Sequence, residues 1–113
     1  MFDSVSLSAL SSALDGLAMR QRSIADNIAN VNTPGYHAKR VAFEGALSAS
    51  IAGGDGHTDA TVERSLEPTR LNGNNVNLDT ETLSNVDTVL RFQFASNATS
   101  AQFAIVRAAV GNR

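Results

Sequence analysis

The sequence predicts a mainly α-helical protein in which long N-terminal and C-terminal helices pack as a coiled-coil-like pair, joined by an irregular or extended middle segment. Three observations support this. Apolar residues recur at heptad spacing before residue 32, residues 80–110 contain neither Gly nor Pro, and Gly and Asn concentrate between these regions. We therefore divide the chain into an N-terminal assembly helix (1–33), a turn and loop segment (34–78) and a C-terminal assembly helix (79–113), together forming one domain.

The first predicted helix runs from about Ser4 to Val31, and Asp3 or Ser4 is suited to cap its start. Its apolar positions follow alternating steps of three and four, which is the spacing of a helix packing seam. Gln21 interrupts the seam, and it either sets the register at a buried position or faces solvent. The seam residues are Leu7, Leu10, Leu14, Leu17, Ile24, Ile28 and Val31.

The middle segment begins with a helix stop. Pro34 disfavours helical geometry at Thr33, and Pro34-Gly35 fits the centre of a type II turn. Beyond this turn, the apolar stretch from Val41 to Leu47 predicts either a short helix or a strand, and residues 61–66 are predicted to be extended.

The second long helix is predicted to begin with Asp79 as its N-cap, to continue to Val110 and to end at Gly111. Apolar residues at helical spacing predict one broad face that packs against other helices. The main stripe contains Leu83, Val86, Leu90, Phe94, Ala101 and Ile105, with a neighbouring seam at Val89, Phe92, Phe103 and Val106.

Composition argues against several classes of function. Nine basic and eleven acidic residues give a net charge of -2, which disfavours binding to nucleic acid. The chain has no Cys, and His37 and His57 lie in turn-rich segments without other ligands at metal-binding spacing. We therefore expect no catalytic residues, no cofactor and no metal. No apolar run is long enough to span a membrane, and the N-terminus lacks the pattern of a cleavable leader. We therefore also expect no membrane span and no cleaved signal peptide.

Residues 24–36, IADNIANVNTPGY, carry the most specific pattern in the chain. This run resembles the N-terminal signature of flagellar rod and hook axial proteins, in which a helix bearing Asn residues is followed by Asn-Thr-Pro-Gly-Tyr. The segments VAFEGAL (41–47), GNNVNLD (73–79) and LRFQ (90–93) extend the resemblance towards the short rod proteins. The motif residues are Asn27, Asn30, Asn32, Thr33, Pro34, Gly35 and Tyr36.

The resemblance implies a structural subunit of the proximal rod, located in the basal body within the periplasmic space. Such a subunit would pass unfolded through the flagellar type III export apparatus and would then polymerise through its terminal helices, helping to transmit torque. The implied partners are further copies of the chain, other rod subunits, the MS-ring adaptor protein and the export apparatus. Phe43 and Leu47 match the Phe-x-x-x-apolar motif implied for recognition at the export gate.

We further expect the amides of Asn27, Asn30 and Asn32 to satisfy the end of the first helix and the adjacent turn, so that replacing Asn30 and Asn32 by Ala weakens rod assembly. Three alternatives remain open from the sequence. These are another rod protein of the same family, a cytoplasmic helical binding module that dimerises as a coiled coil, and a small enzyme such as a wall-cutting hydrolase acting beside the rod.

Overall fold

The computed structural model describes residues 4–111, which form two long helices, one short helix and two short strands in an elongated molecule of 66 × 25 × 15 Å. The two long helices pack along each other, which confirms the predicted fold class. The elements in chain order are α1 (Ser4–Ala29), β1 (Lys39–Ala42), α2 (Glu44–Ala52), β2 (Thr61–Arg64) and α3 (Leu78–Gly111).

Helix α1 ends at Ala29, two residues before the predicted Val31, and Asp3 lies outside the described residues. The predicted turn follows. The Tyr36 N–H donates to the Thr33 carbonyl at 3.2 Å, and Gly35 has a φ of 75°. A positive φ at the third residue of a turn is the geometry of a type II turn, and it favours Gly because a side chain would clash with the backbone.

The middle segment is more regular than the sequence predicted. Strands β1 and β2 pair antiparallel, with Lys39 opposite Arg64 and Ala42 opposite Thr61, and α2 lies in the connection between them. The stretch from Val41 to Leu47 therefore contains both of the alternatives that its composition allowed, a strand end followed by a helix start. Residues 61–64 confirm the expected extended conformation.

A small apolar core joins α1, the middle segment and α3. It consists of Leu17, Val41, Phe43 and Ala95, all buried. Gly16 makes room for it, because a Cβ atom at that position would lie 2.6 Å from the Phe43 ring. The absence of a side chain at Gly16 thus allows the Phe43 ring to pack directly on the backbone of α1.

Helix α3 begins with a cap that the sequence analysis assigned wrongly. Asn77, and not Asp79, is the capping residue, since its Oδ1 accepts hydrogen bonds from the N–H groups of Asp79 at 3.0 Å and Thr80 at 3.3 Å. Asp79 lies instead in the first turn, where a negative charge interacts favourably with the helix dipole. Gly111, predicted as the end of the helix, is itself helical.

Candidate assembly site

Asn27 of the motif joins three elements at the base of the α1/α3 hairpin. Its side chain is fully buried, and its Nδ2 donates to the Lys39 carbonyl at 3.0 Å and to Glu81 Oε1. Its Oδ1 accepts from the Lys39 N–H at 2.8 Å and from the Tyr36 hydroxyl at 3.2 Å. Because the amide pairs with both backbone groups of Lys39, it takes the place of a neighbouring strand along the outer edge of β1.

Glu81, the partner of Asn27 on α3, is a residue that the sequence analysis did not identify. Its side chain is completely buried, and Arg40 Nη1 donates to both of its carboxylate oxygens at 3.1 and 3.2 Å. The second guanidinium nitrogen of Arg40 reaches Glu67 Oε2 at 3.1 Å. A buried carboxylate requires such partners because losing its hydration is costly. We call the cluster of Asn27, Arg40 and Glu81 the base cluster.

The end of α1 is closed by Asn30 but not by Asn32. Asn30 Nδ2 donates to the Asp26 carbonyl at 2.8 Å, and its Oδ1 accepts from the Thr33 hydroxyl at 3.0 Å. The exposed Asn32 side chain makes no hydrogen bond to any residue within 4–111. The expectation that all three motif amides satisfy the helix end is therefore wrong for Asn32, which makes no such bond, and for Asn27, whose amide pairs with Lys39, Glu81 and Tyr36 instead.

A second set of side chains reaches the same helix end from residues 70–76. Asn74 Nδ2 donates to the carbonyls of Asn30 and Thr33, both at 2.8 Å, and Arg70 Nη2 donates to the Val31 carbonyl at 2.6 Å. These bonds occupy carbonyl groups that a helix end leaves without partners. The segment after β2 thus completes the turn that follows α1.

The turn residues of the motif dock on the same loop. Gly35 donates its N–H to the Asn72 carbonyl at 2.8 Å, while Pro34 is exposed. Tyr36 is half-buried, and burial raises the pKa of its hydroxyl above the ordinary value. The hydroxyl therefore remains a hydrogen-bond donor to Asn27 over the physiological pH range.

The predicted seam of α1 is only partly buried within the molecule. Leu17 and Ile24 are buried, Ile28 is exposed, and Gln21 faces solvent, which selects one of the two alternatives open for that residue. The remaining seam residues are partly buried, namely Leu7, Leu10, Leu14 and Val31. Two of them, Leu7 and Leu14, line an open groove of about 350 Å³ together with Phe103 of α3.

The predicted stripe of α3 points away from α1. The buried residues of α3 are Glu81, Thr88 and Ala95, which recur every seven residues and therefore share one face. At about 3.6 residues per turn the main stripe falls on the opposite side, whereas Phe92 of the neighbouring seam lies on the inner side and packs against the core. In the main stripe, the exposed fractions are 73% for Leu83, 53% for Val86, 61% for Leu90, 77% for Phe94 and 57% for Ile105. We call these five residues the outer stripe.

The outer stripe is unfavourable in a free subunit. Full burial of Leu83, Leu90 or Phe94 would contribute about 1.5–3 kcal/mol each. On the inner face, by contrast, the buried Thr88 hydroxyl has no hydrogen-bond partner among the described residues, which costs about 1–3 kcal/mol. Helix α3 thus buries polar side chains such as Glu81 and Thr88 while it leaves large apolar side chains outside, an arrangement typical of a surface covered by another protein.

Phe43 and Leu47 belong to the folded core. Phe43 is buried and Leu47 packs against the same cluster. Arg20 holds this segment on α1, with its Nη2 at 2.7 Å from both Glu44 Oε1 and the Val41 carbonyl. The hydrogen bond from Arg20 lowers the pKa of Glu44, and Glu44 in turn raises the pKa of Arg20.

Residues 4–111 contain no group of three or more His, Cys, Asp or Glu side chains arranged to hold a metal ion. His57 Nε2 lies 3.6 Å from Asp59 Oδ1, and both side chains are largely exposed. No helix in the described part of the chain combines the length and apolarity needed to cross a membrane.

The hairpin of long helices, the Asn-rich turn and the outer stripe are features of a helical assembly protein. A family model described as flagella basal body rod protein matches residues 7–37, the segment that contains most of α1 and its closing turn. The match indicates the class of flagellar basal body rod proteins.

Two relatives show to which family within this class the chain belongs. The flagellar basal body rod protein FlgB of Borrelia hermsii is 30% identical over 113 aligned positions, covering 80% of this chain and 84% of the relative. FlgB of Borreliella burgdorferi is 26% identical with the same coverage. The chain therefore belongs to the FlgB family of flagellar basal body rod proteins. It is a structural subunit of the basal body that associates with other rod components.

Proposed function

We propose that the chain is built into the rod through its two terminal helices, and that neighbouring subunits cover the outer stripe of α3. The observation that carries this proposal is the exposure of Leu83, Leu90 and Phe94 on the face of α3 opposite to α1. Large apolar side chains left outside a helix hairpin are typical of a surface that another protein covers.

The charge distribution supports a contact surface that extends along the far end of the hairpin, where Phe94 and Ile105 of the outer stripe lie. Residues 4–14 of α1 and 92–106 of α3 contain no charged side chain. Depletion of charge is characteristic of the centres of protein interfaces, since a buried ion must be paired to offset its lost hydration. The groove lined by Leu7, Leu14 and Phe103 lies largely in this part of the hairpin, with Asp15 at its border, and offers further apolar area to a neighbour.

The proposal includes export in an unfolded state through the flagellar type III apparatus, with Phe43 and Leu47 as the recognised pair. Both side chains pack in the folded core, so a receptor would meet them only in an unfolded chain. After export, the subunit would assemble in the periplasmic rod with copies of itself, other rod subunits and the MS-ring adaptor protein, and would help to transmit torque. In this role it performs no catalysis and binds no nucleic acid or cofactor.

The outer stripe is tested with the triple variant Leu83→Ser/Leu90→Ser/Phe94→Ser as the only copy in the cell. We expect the variant to be produced and to be absent from purified basal bodies, with loss of motility. The matched control is Ile51→Ser/Val62→Ser, which alters exposed apolar residues outside α3 and should leave motility intact. Incorporation of the triple variant at the control level would show that this surface is wrongly assigned.

The export motif needs a control that separates recognition from folding. Phe43→Leu retains an apolar side chain in the core, and Phe92→Leu makes the same change at a neighbouring position of that core. We expect Phe43→Leu to reduce secretion, and Phe92→Leu to leave secretion unchanged at a similar thermal stability. Equal secretion of both variants would remove Phe43 from the export signal.

The competing proposal of a cytoplasmic binding module makes a different prediction for the purified chain. Such a module would sediment as a helical dimer at micromolar concentration, whereas a rod subunit awaiting its neighbours would sediment as a monomer. Sedimentation velocity of the full chain distinguishes the two.

A further inference from the structure

The orientation of α3 about its own axis is not determined by its apolar pattern, since apolar residues lie on both of its faces. Its buried face contains Glu81, Thr88 and Ala95, while larger apolar residues such as Leu90 and Phe94 are exposed. Hydrophobic burial alone does not specify this orientation, because large apolar residues lie on both faces: Phe92 packs against the core, while Leu90 and Phe94 remain outside. Some contact must therefore specify the orientation that is observed.

We infer that Glu81 is the positioning residue that sets this orientation. Its carboxylate is fully buried and accepts from Asn27 Nδ2 and from Arg40 Nη1, and both of these donors lie outside α3. Rotation of α3 by half a turn would carry the carboxylate away from both donors. A buried charge without partners is strongly unfavourable, so Glu81 stabilises one orientation of the helix over the other.

The other buried residues of α3 do not supply this preference. The Thr88 hydroxyl has no hydrogen-bond partner among residues 4–111, so burying it gains no polar contact. Ala95 is small and buries little apolar surface in either orientation. Among the three buried positions, only Glu81 makes specific bonds to the rest of the molecule.

The consequence is that a polar contact at the start of α3 keeps an apolar surface available along the rest of the helix. Without the carboxylate, no polar contact would prevent α3 from turning its outer stripe towards α1, and the surface that it offers to a neighbour would no longer be maintained. The use of that surface in the rod rests on the proposed function, whereas the orientation itself is a property of the free subunit and is tested on it.

The chain contains no Cys, so single cysteines report cleanly on the two faces of α3. Thr88→Cys marks the buried face, and Asn97→Cys marks the outer face without removing an apolar residue of the stripe. The rate of modification by a maleimide is measured for each cysteine in the full chain, with and without Glu81→Leu. With Glu81 present, we expect position 97 to react rapidly and position 88 slowly.

In the Glu81→Leu background we expect the two rates to exchange. Position 97 should become at least about tenfold slower and position 88 at least about tenfold faster, because protection from modification follows local burial. The helical circular dichroism should persist. Reduced binding of an apolar dye should accompany the exchange, since the outer stripe would then be covered.

Three results would overturn the inference. Unchanged rates would show that Glu81 does not orient the helix. Rapid modification of both cysteines with loss of helical signal would make Glu81 an ordinary stability residue. Exchange of the rates in Glu67→Leu, which removes the other carboxylate bound by Arg40, would assign the effect to the charge of Arg40 and not to Glu81.

Discussion

The base of the α1/α3 hairpin and its far end contain different kinds of side chain. At the base, Asn27, Glu81 and Asn74 are fully buried and hydrogen-bonded to groups far away in the sequence. At the far end, residues 4–14 and 92–106 carry no charge and consist mainly of Ala, Ser and Thr with scattered large apolar residues. The base defines a geometry through directional bonds, whereas the far end offers surface whose packing is non-directional.

The two regions of this small chain therefore have different roles. Directional bonds between unlike groups specify a single arrangement, because each donor must meet its own acceptor. Small and apolar side chains accept many neighbours of suitable shape. The base therefore determines how the subunit is folded, and the far end provides surface through which it meets other subunits.

The largest loss of stability is expected from removing the side-chain amide at the centre of the base cluster. Asn27→Ala deletes four hydrogen bonds and leaves the buried Glu81 carboxylate short of a donor. We expect a loss of about 2–4 kcal/mol in the free energy of unfolding, measured by urea titration. Asn32→Ala, at an exposed motif position, should change stability by less than about 0.5 kcal/mol. Equal effects of the two variants would show that the base cluster does not dominate the fold.

A second test concerns the close approach of the core to α1. Gly16→Ala places a methyl group 2.6 Å from the Phe43 ring, and we expect a loss of about 1–3 kcal/mol in stability. Gly45→Ala in α2 is the matched control, because its new methyl group has no neighbour within 4 Å and should stabilise the helix by about 0.5–1 kcal/mol. In thermal unfolding, the change in Tm should be negative for Gly16→Ala and positive for Gly45→Ala if Phe43 packs as described. Changes in Tm of the same sign would contradict this packing.

On the inner face of α3, we expect one substitution to stabilise the protein. Thr88→Val replaces a buried hydroxyl that has no partner among the described residues by a methyl group of the same shape. We expect a gain of about 1 kcal/mol in the free energy of unfolding. The control is Thr99→Val, since the Thr99 hydroxyl donates to the Ala95 carbonyl at 2.9 Å and its removal should bring no gain. A destabilised Thr88→Val variant would indicate that the hydroxyl has a partner.

The smallest expected effect is a pH dependence at the start of α2. Because hydrogen bonding to Arg20 lowers the pKa of Glu44 in the folded state, the contribution of Glu44 is complete above its ordinary value of 4.5 and is lost as the pH falls below it. The carboxylate is partly exposed, so the contribution is about 0.5 kcal/mol.

The measurement compares wild type with Glu44→Gln in urea at pH 7 and pH 3. The wild type should be more stable than the variant at pH 7, and the two should converge at pH 3. Glu63→Gln, at an exposed position of β2, is the control and should match the wild type at both values. A difference between wild type and Glu44→Gln that is the same at both pH values would contradict the assignment.

The sequence predicted the helices well because their signals are local. Heptad spacing from Leu7 onwards and the stop at Pro34 are contained within a few turns of chain, and both match the structure. The orientation of α3 was not predictable in this way. A search for apolar periodicity finds Leu83 and Phe94 and passes over Glu81, although Glu81 lies on the face that α3 buries.

The base cluster was not predictable from the sequence for a related reason. Asn27 and Glu81 are 54 residues apart, and no local pattern indicates that a buried amide and a buried carboxylate will meet. The cap of α3 was misassigned because Asn77 and Asp79 are both good capping residues, and only the hydrogen bonds distinguish them.

The long separation between Asn27 and Glu81 also determines when the hairpin is able to close. As the chain emerges from a ribosome, α1 is made first, yet its buried amide has no carboxylate to meet until residue 81 has appeared. The carbonyls at the end of α1 likewise wait for Asn74. Contacts so distant in the sequence form late, because a long loop must be closed before they are gained. The nascent chain therefore has an extended period in which α1 lacks these tertiary contacts and is available to bind other proteins.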